Sequence, residues 1–156
     1  MTPATEVTQA TEVRALQDAL AVEHAAIFGI GVAGAHLTEE LRDQAQDASI
    51  AHVGRVRGWE QLVRDRGGEV PLAAPWYEVP RTPTDQASGL QLLVELEESC
   101  AVAARSVVEA AGTDGRDMRD SGSAALTDSA VRATGWRLAM RPQDPSVPVT
   151  VPWPGA

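Results

Sequence analysis

The chain has 156 residues, of which 13 are basic and 22 acidic, so its formal net charge is −9 at pH 7. This length suits one domain with a full hydrophobic core, and the negative charge argues against nonspecific binding to nucleic acid. The single cysteine, Cys100, excludes an intrachain disulfide. The N-terminal residues lack the basic and apolar regions of a secretory signal, and no unbroken apolar run is long enough for a membrane span. We therefore expect a cytoplasmic protein that binds neither nucleic acid nor a membrane.

Apolar residues recur at helical spacing along most of the chain, and no strand pattern persists. The first ten residues are polar, and we expect them to be a flexible N-terminus. The last sixteen contain five prolines, which exclude a helix, and we expect this tail to dock on the bundle or on a partner subunit. The predicted domain therefore covers residues 11–140. Its four helices are predicted over residues 11–37, 38–66, 86–111 and 118–140.

Each of the first three predicted helices has one titratable residue in the middle of an otherwise apolar inner face. These residues are Glu23, His52 and Glu97 in the first three helices. The fourth helix is poor in apolar residues, which leaves its inner face less defined. One choice, which includes Arg132, places these residues inward: Met118, Gly122, Ala125, Ser129, Arg132 and Trp136. An isolated buried charge is costly, so these side chains require partners.

The connections between the helices predict how the helices are arranged. Short turns near residues 37–38 and 112–117 make antiparallel hairpins, whereas residues 69–85 contain four prolines and no helical period. A connection of this length can run along the whole bundle, so the second and third helices can lie parallel. Two hairpins joined by one long crossover define the ferritin-like four-helix bundle. We therefore predict an all-α protein of this topology.

Counting residues from the turns places the four polar side chains at one height. Glu23 and His52 lie about 14 residues before and after the first turn, which at ~1.5 Å per residue is ~21 Å along the bundle. Glu97 and Arg132 lie at similar distances from the second turn, near Asp114. The sequence thus predicts that Glu23, His52, Glu97 and Arg132 meet in one layer.

This layer resembles the di-metal site of ferritin-like proteins, in which helices 1 and 3 each supply a Glu and helices 2 and 4 each supply Glu-x-x-His. Glu23 and Glu97 match the two single glutamates. In "SIAH" (49–52), His52 matches the second-helix histidine but Ser49 replaces the glutamate, and the fourth helix has no such motif. The resemblance therefore implies a reduced ligand set.

The whole chain also resembles a small family of actinobacterial ferritin-like domains of unknown function. The similarity lies in "ALAVEHAAIFGIGVAGAHL", "AHVGRVRGWEQLVRDRG", "APWYEVPRTPTD" followed by "LEESC", and the closing "VPWPG". It covers most of the chain. No activity comes with this resemblance.

Two interpretations of the layer remain open. In the first, the protein is non-catalytic and needs no cofactor. The guanidinium of Arg132 then donates hydrogen bonds to the carboxylates in a buried polar network. In the second, Glu23, His52 and Glu97 bind iron or manganese, with Asp128 or His24 as a further ligand. A small-molecule site inside the bundle is a third possibility, for which the sequence names no ligand. The small residues of the first helix favour a homodimer.

Overall fold

The computed structural model describes residues 3–149, with side chains from residue 5 onward. This part of the chain folds into four helices without a strand, which confirms the predicted all-α class. The helices are α1 (Pro3–Gly34), α2 (Glu39–Asp65), α3 (Gln86–Ala110) and α4 (Arg116–Met140).

At its N-terminal end the chain is helical earlier than predicted, and its C-terminal tail is described only in part. Helix α1 begins at Pro3 rather than at residue 11, so residues 3–10 extend the helix. Proline is favoured in the first turn of a helix, because the backbone N–H groups of that turn have no acceptor within the helix and proline therefore loses no hydrogen bond there. Residues 141–149 form turns and no helix. The prediction that the tail docks on the bundle or on a partner subunit also concerns residues 150–156, which lie outside the described residues.

Contacts at the two ends of the bundle establish the direction of each helix. At one end, Glu12 of α1 accepts a hydrogen bond from the amide of Gly112, beside the start of α4. At the other end, the amide of Thr38 donates to the side chain of Gln86, so α2 and α3 begin together and run parallel. Helix α1 packs against α2 and α3, and α3 packs against α4. Helices α2 and α4 are further apart and meet mainly through long side chains, such as Trp59, which donates to the Ser121 hydroxyl.

Specific side chains hold the crossover segment, residues 66–85, along the bundle. The rings of Phe28 and Tyr77 lie 6.0 Å apart between their centroids, and Arg81 donates to Glu95 at 2.7 Å. The segment ends in a capping box, in which Asp85 accepts from the Ser88 amide while the Ser88 hydroxyl accepts from the Asp85 amide. This pair satisfies free donors at the start of α3.

The buried apolar residues form two clusters at different heights along the bundle. The first is built around Ile30, Leu37, Leu93 and Trp136, and the second around Leu16, Trp59, Val107 and Met118. The fully buried residues Glu23, His52 and Glu97 belong to neither cluster. Along α1 and α2, Glu23 and His52 lie between the residues of the two clusters, so a charged layer separates the two halves of the core.

Glycine allows close helix packing at some positions of the bundle and not at others. A Cβ at Gly29 would lie 2.7 Å from the Leu96 side chain. A Cβ at Gly31 or Gly34 would meet no atom of another helix within 4 Å. At Gly122 of α4, a Cβ would lie 2.7 Å from Val108 and 3.0 Å from the carbonyl oxygen of Ala104. Close approach of a neighbouring helix therefore explains Gly29 and Gly122, but not Gly31 or Gly34.

Replacing Gly122 with alanine should destabilise the protein by about 1 to 3 kcal/mol, because the added methyl group meets backbone that cannot move away freely. The matched control is Gly58→Ala, an exposed helical site in α2 with open space around it. There alanine should stabilise the protein by up to about 1 kcal/mol through helix propensity. Urea unfolding of both variants tests this packing, and equal effects would contradict it.

Helix α1 is also long and apolar enough to cross a membrane, judged by length and composition alone. Within Thr5–Gly34, the most apolar window of 18 residues has a mean hydropathy of 1.2. Core helices of soluble proteins meet the same criterion, so this is weak evidence for a membrane span.

Candidate functional site

The structure brings Glu23, His52 and Glu97 together at mid-height in the bundle. The Nδ1 atom of His52 lies 2.6 Å from Oε2 of Glu23, and its Nε2 atom lies 3.3 Å from Oε1 of Glu97. All three side chains are fully or almost fully buried. They come from α2, α1 and α3, so one histidine links carboxylates on two neighbouring helices.

The guanidinium that reaches this layer belongs to Arg55, which the sequence analysis missed. Its Nη1 donates to Oε1 of Glu23 at 2.7 Å and to the Ser129 hydroxyl at 3.1 Å, and its Nη2 donates to Asp128 at 2.8 Å. Residues three apart share a helical face, so Arg55 projects beside His52. A basic residue at this spacing from a buried histidine was the signal available in the sequence.

The prediction that Arg132 partners the buried carboxylates is wrong. Arg132 is half-buried, and its ion pair is with Asp128 on its own helix, at 3.2 Å. The inner face of α4 passes through Ala133 instead. From the buried Ser129, a step of three residues leads to Arg132 and a step of four leads to Ala133, and both steps stay on one helical face. Burying the small apolar side chain of Ala133 costs less free energy than burying a guanidinium.

Three further acidic or histidine residues that the sequence places near the layer are arranged differently in the structure. Glu98, the neighbour of Glu97, points away from the layer and pairs with Arg137, a buried residue of α4 that the sequence analysis missed. His24 is not part of the cluster, and its Nε2 atom is buried without a hydrogen-bond partner. Asp128 does join the layer, where it accepts one hydrogen bond from Arg55 and pairs with Arg132, so it is not a free metal ligand.

The charges in this layer set the protonation of His52. Burial alone would lower its pKa, but hydrogen bonds to Glu23 and Glu97 outweigh burial and raise the pKa of His52 to about 9. For Glu23, burial favours the neutral acid, yet hydrogen bonds and charges from His52 and Arg55 hold its pKa below the usual range. A protonated His52 therefore adds its positive charge to that of Arg55, and the two cations face the carboxylates of Glu23, Glu97 and Asp128.

Cys100 lies next to the layer on α3, with its Sγ atom 4.0 Å from Nδ1 of His52. Burial, followed by the charges of Glu23 and Glu97, raises the pKa of its thiol well above the ordinary value. The thiol therefore stays protonated, and Cys100 packs with the apolar cluster around Leu93. This arrangement suits a small core residue better than a thiolate.

The donor set does not fit the two-metal centre of ferritin-like proteins. One oxygen of Glu23 accepts from Arg55, and both ring nitrogens of His52 face carboxylates. Ser49 stands where that centre has a glutamate, and at this height α4 contributes Ser129. A single ion has more support, because ligand atoms of Glu23, His52 and Cys100 lie within 4.8 Å of one another.

One atom of the layer lacks a partner among the described residues. Oε2 of Glu97 is buried and accepts no hydrogen bond. At the nearby α2–α4 side, Nη1 of Arg132 and Nε1 of Trp136 are also buried without a partner. Together with Nε2 of His24, these are the buried side-chain nitrogen and oxygen atoms that have no hydrogen-bond partner within residues 5–149.

Comparison with known proteins places this arrangement in a family. A solved structure of a conserved hypothetical protein, Rv2844 from Mycobacterium tuberculosis, is similar with a TM-score of 0.78 and 36% sequence identity. The match covers 83% of this chain and 97% of that one. No curated protein matches this chain. The sequence profile of a domain of unknown function, DUF4439, matches residues 15–156. The chain therefore belongs to the DUF4439 family.

Proposed function

We propose that this protein is a non-catalytic, ferritin-like domain in which a buried ion-pair layer replaces the metal centre, and that it works by binding or assembly. The observation that carries the proposal is the hydrogen bond from Arg55 to Glu23, at 2.7 Å in the middle of the bundle. A guanidinium there supplies the positive charge that buried carboxylates require.

The charges of the layer oppose the binding of a further cation. Arg55 cannot lose its proton, so a metal ion at Glu23 would be repelled by a fixed positive charge. A metal ion would also have to displace the proton of His52, whose pKa of about 9 makes that displacement costly at neutral pH.

The topology supports the ferritin-like part of this proposal. Two antiparallel hairpins are joined by the long segment 66–85, and the acids and the histidine lie on inward faces at mid-height. Ferritin-like proteins place their metal ligands in the same way on facing helices of the bundle. The net charge of −9 argues against a role in nonspecific binding to nucleic acid.

A second candidate is a protein that binds one iron or manganese ion through Glu23, His52 and Glu97. It is supported by Oε2 of Glu97, which is buried without a partner. Carboxylate and imidazole ligands suit both metals. Binding would require Arg55 to turn away from Glu23 and His52 to lose its proton.

Elemental analysis and thermal unfolding together distinguish these two candidates. The protein is purified without a His tag and loaded anaerobically with ferrous iron or with manganese. We expect far less than one metal ion per chain and an unchanged Tm. One equivalent of metal that is lost in Glu23→Gln but kept in Glu98→Gln would contradict the proposal. Such an ion at a hundredfold excess over its Kd would stabilise the fold by about 2.7 kcal/mol.

A further inference from the structure

A groove of about 240 Å³ lies between α2 and α4, which are further apart than the other helices that pack together. This volume is just below the ~300–1,000 Å³ of typical small-molecule sites, so the groove suits a compact ligand. The groove lies outside the charged layer and is lined by none of its three central residues. Its walls are formed by three residues of each helix: Gln44, Asp47, Ala48, Arg132, Gly135 and Trp136.

Two hydrogen-bond donors of the residues that line this groove have no acceptor among residues 5–149. They are Nη1 of Arg132 and Nε1 of Trp136, and both atoms are buried. Trp136 is only 5% exposed, so bulk water does not supply the missing acceptor. Guanidinium and indole N–H groups donate and never accept, so both lack an acceptor such as an oxygen atom. A carboxylate has two oxygens and can accept from both donors at once.

The acidic groups around Arg132 determine the charge of a ligand that fits the groove. Asp128 already pairs with Nη2 of Arg132 at 3.2 Å. Asp47, on the α2 wall, is exposed and has no ion-pair or hydrogen-bond partner within the described chain. A plain carboxylate bound to Arg132 would therefore be repelled by two acids. A ligand that also carries an ammonium group would offset this repulsion and pair with Asp47.

The remaining surface of the groove is small and partly apolar. A Cβ at Gly135 would meet no neighbouring atom within 4 Å, so close helix packing does not explain this glycine. Glycine inside a helix is less favourable than alanine, and here it leaves the α4 wall free of a side chain. The apolar part consists of Ala48 and the Trp136 ring. A ligand with a short aliphatic side chain fits this surface.

We propose that the groove between α2 and α4 binds a small zwitterion with the chemistry of a free amino acid. The carboxylate of the ligand accepts hydrogen bonds from Nη1 of Arg132 and Nε1 of Trp136, and its ammonium group pairs with Asp47. A short side chain of the ligand packs on the Trp136 ring. This site goes beyond the function proposed above, because it lies outside the layer and does not depend on the metal content of the protein.

Proton–nitrogen-15 correlation NMR of the full chain tests this site at the indole N–H of Trp136, whose signal is assigned with a Trp136→Phe variant. The probes are L-alanine, propionate, which lacks the ammonium group, and ethylamine, which lacks the carboxylate. L-Alanine at millimolar concentration should shift the indole signal. Its Kd should be lower than that of either other probe by about tenfold or more, because each of them loses one charged contact.

Two pairs of variants connect binding to the charged groups of the groove. Arg132→Gln should raise the Kd of L-alanine by about tenfold or more. Its matched control is Arg116→Gln, because Arg116 also pairs with an aspartate one turn away on α4. Asp47→Asn should remove the preference for L-alanine over propionate. Asp43→Asn, at an exposed acid of α2 that does not line the groove, should keep that preference.

A steric variant tests the position of the ligand, and thermal unfolding checks that each variant is folded. Gly135→Leu places a side chain in the groove and should abolish the shift, whereas Gly58→Leu, at an open site of α2 outside the groove, should leave it unchanged. An indole signal that no probe moves would overturn the proposal and would indicate that water alone fills the groove. Equal affinities of wild type for L-alanine and propionate would also overturn it, as would binding that survives both Arg132→Gln and Gly135→Leu.

Discussion

Replacing Glu23 with alanine should lower the free energy of unfolding by about 3 to 5 kcal/mol. Glu23 is completely buried and accepts hydrogen bonds from both His52 and Arg55. Its loss leaves a guanidinium and a protonated imidazole facing each other without the carboxylate that neutralises them. Breaking a buried ion pair costs far more than the intact pair contributes, because the remaining charge stays desolvated.

Urea unfolding in the presence of a chelator measures this effect without a contribution from metal. The matched control is Glu60→Ala, because Glu60 pairs with Arg64 within α2 at a half-exposed site. That variant should lose only a few tenths of a kcal/mol. If chelation abolished the difference between wild type and Glu23→Ala, the stabilising partner of Glu23 would be a metal ion rather than Arg55.

The stability of the protein should fall as the pH rises from about 6.5 to above 9. The pKa of His52 is about 9 in the folded chain and 6.5 in its ordinary state. Because the folded pKa is the higher one, the contribution of His52 is complete below pH 6.5 and is lost as the pH passes 9. A difference of this size corresponds to about 3 kcal/mol.

Unfolding curves at a series of pH values measure this loss, and His52→Gln identifies its source. The variant should be less stable than wild type at pH 6, and it should show a flatter profile above pH 7. Glu23 acts at the other end of the scale, since its pKa is lowered and its contribution is lost as the pH falls through the acid range. A wild-type profile that stays flat between pH 6.5 and 9 would contradict a protonated His52.

The layer itself could be predicted from sequence because its position follows from regular geometry. Glu23, His52 and Glu97 interrupt apolar faces at helical spacing, and equal distances from a turn place residues of a hairpin at equal height. The all-α class followed from the same periodicity. These properties depend on spacing along the chain, which a single sequence shows directly.

The arginine that pairs with the carboxylates of the layer could not be predicted from this spacing. Arg55 and Arg132 are both arginines at the right height, and the choice between them depends on how α2 and α4 rotate about their axes. That rotation is set by the packing of Ala133 and Trp136 in the core, which periodicity leaves undecided on a helix with few apolar residues. The start of α1 at Pro3 was missed because its polar first turns carry no apolar pattern.

The central claim is that the core of this protein holds a protonated histidine between two carboxylates. Nitrogen-15 NMR of labelled protein reports the protonation of both ring nitrogens of His52 directly. We predict that both are protonated at pH 7 and that the signal titrates near pH 9, with or without added iron or manganese. A neutral ring at pH 7, or one whose nitrogen signal changes with one equivalent of metal, would contradict the account.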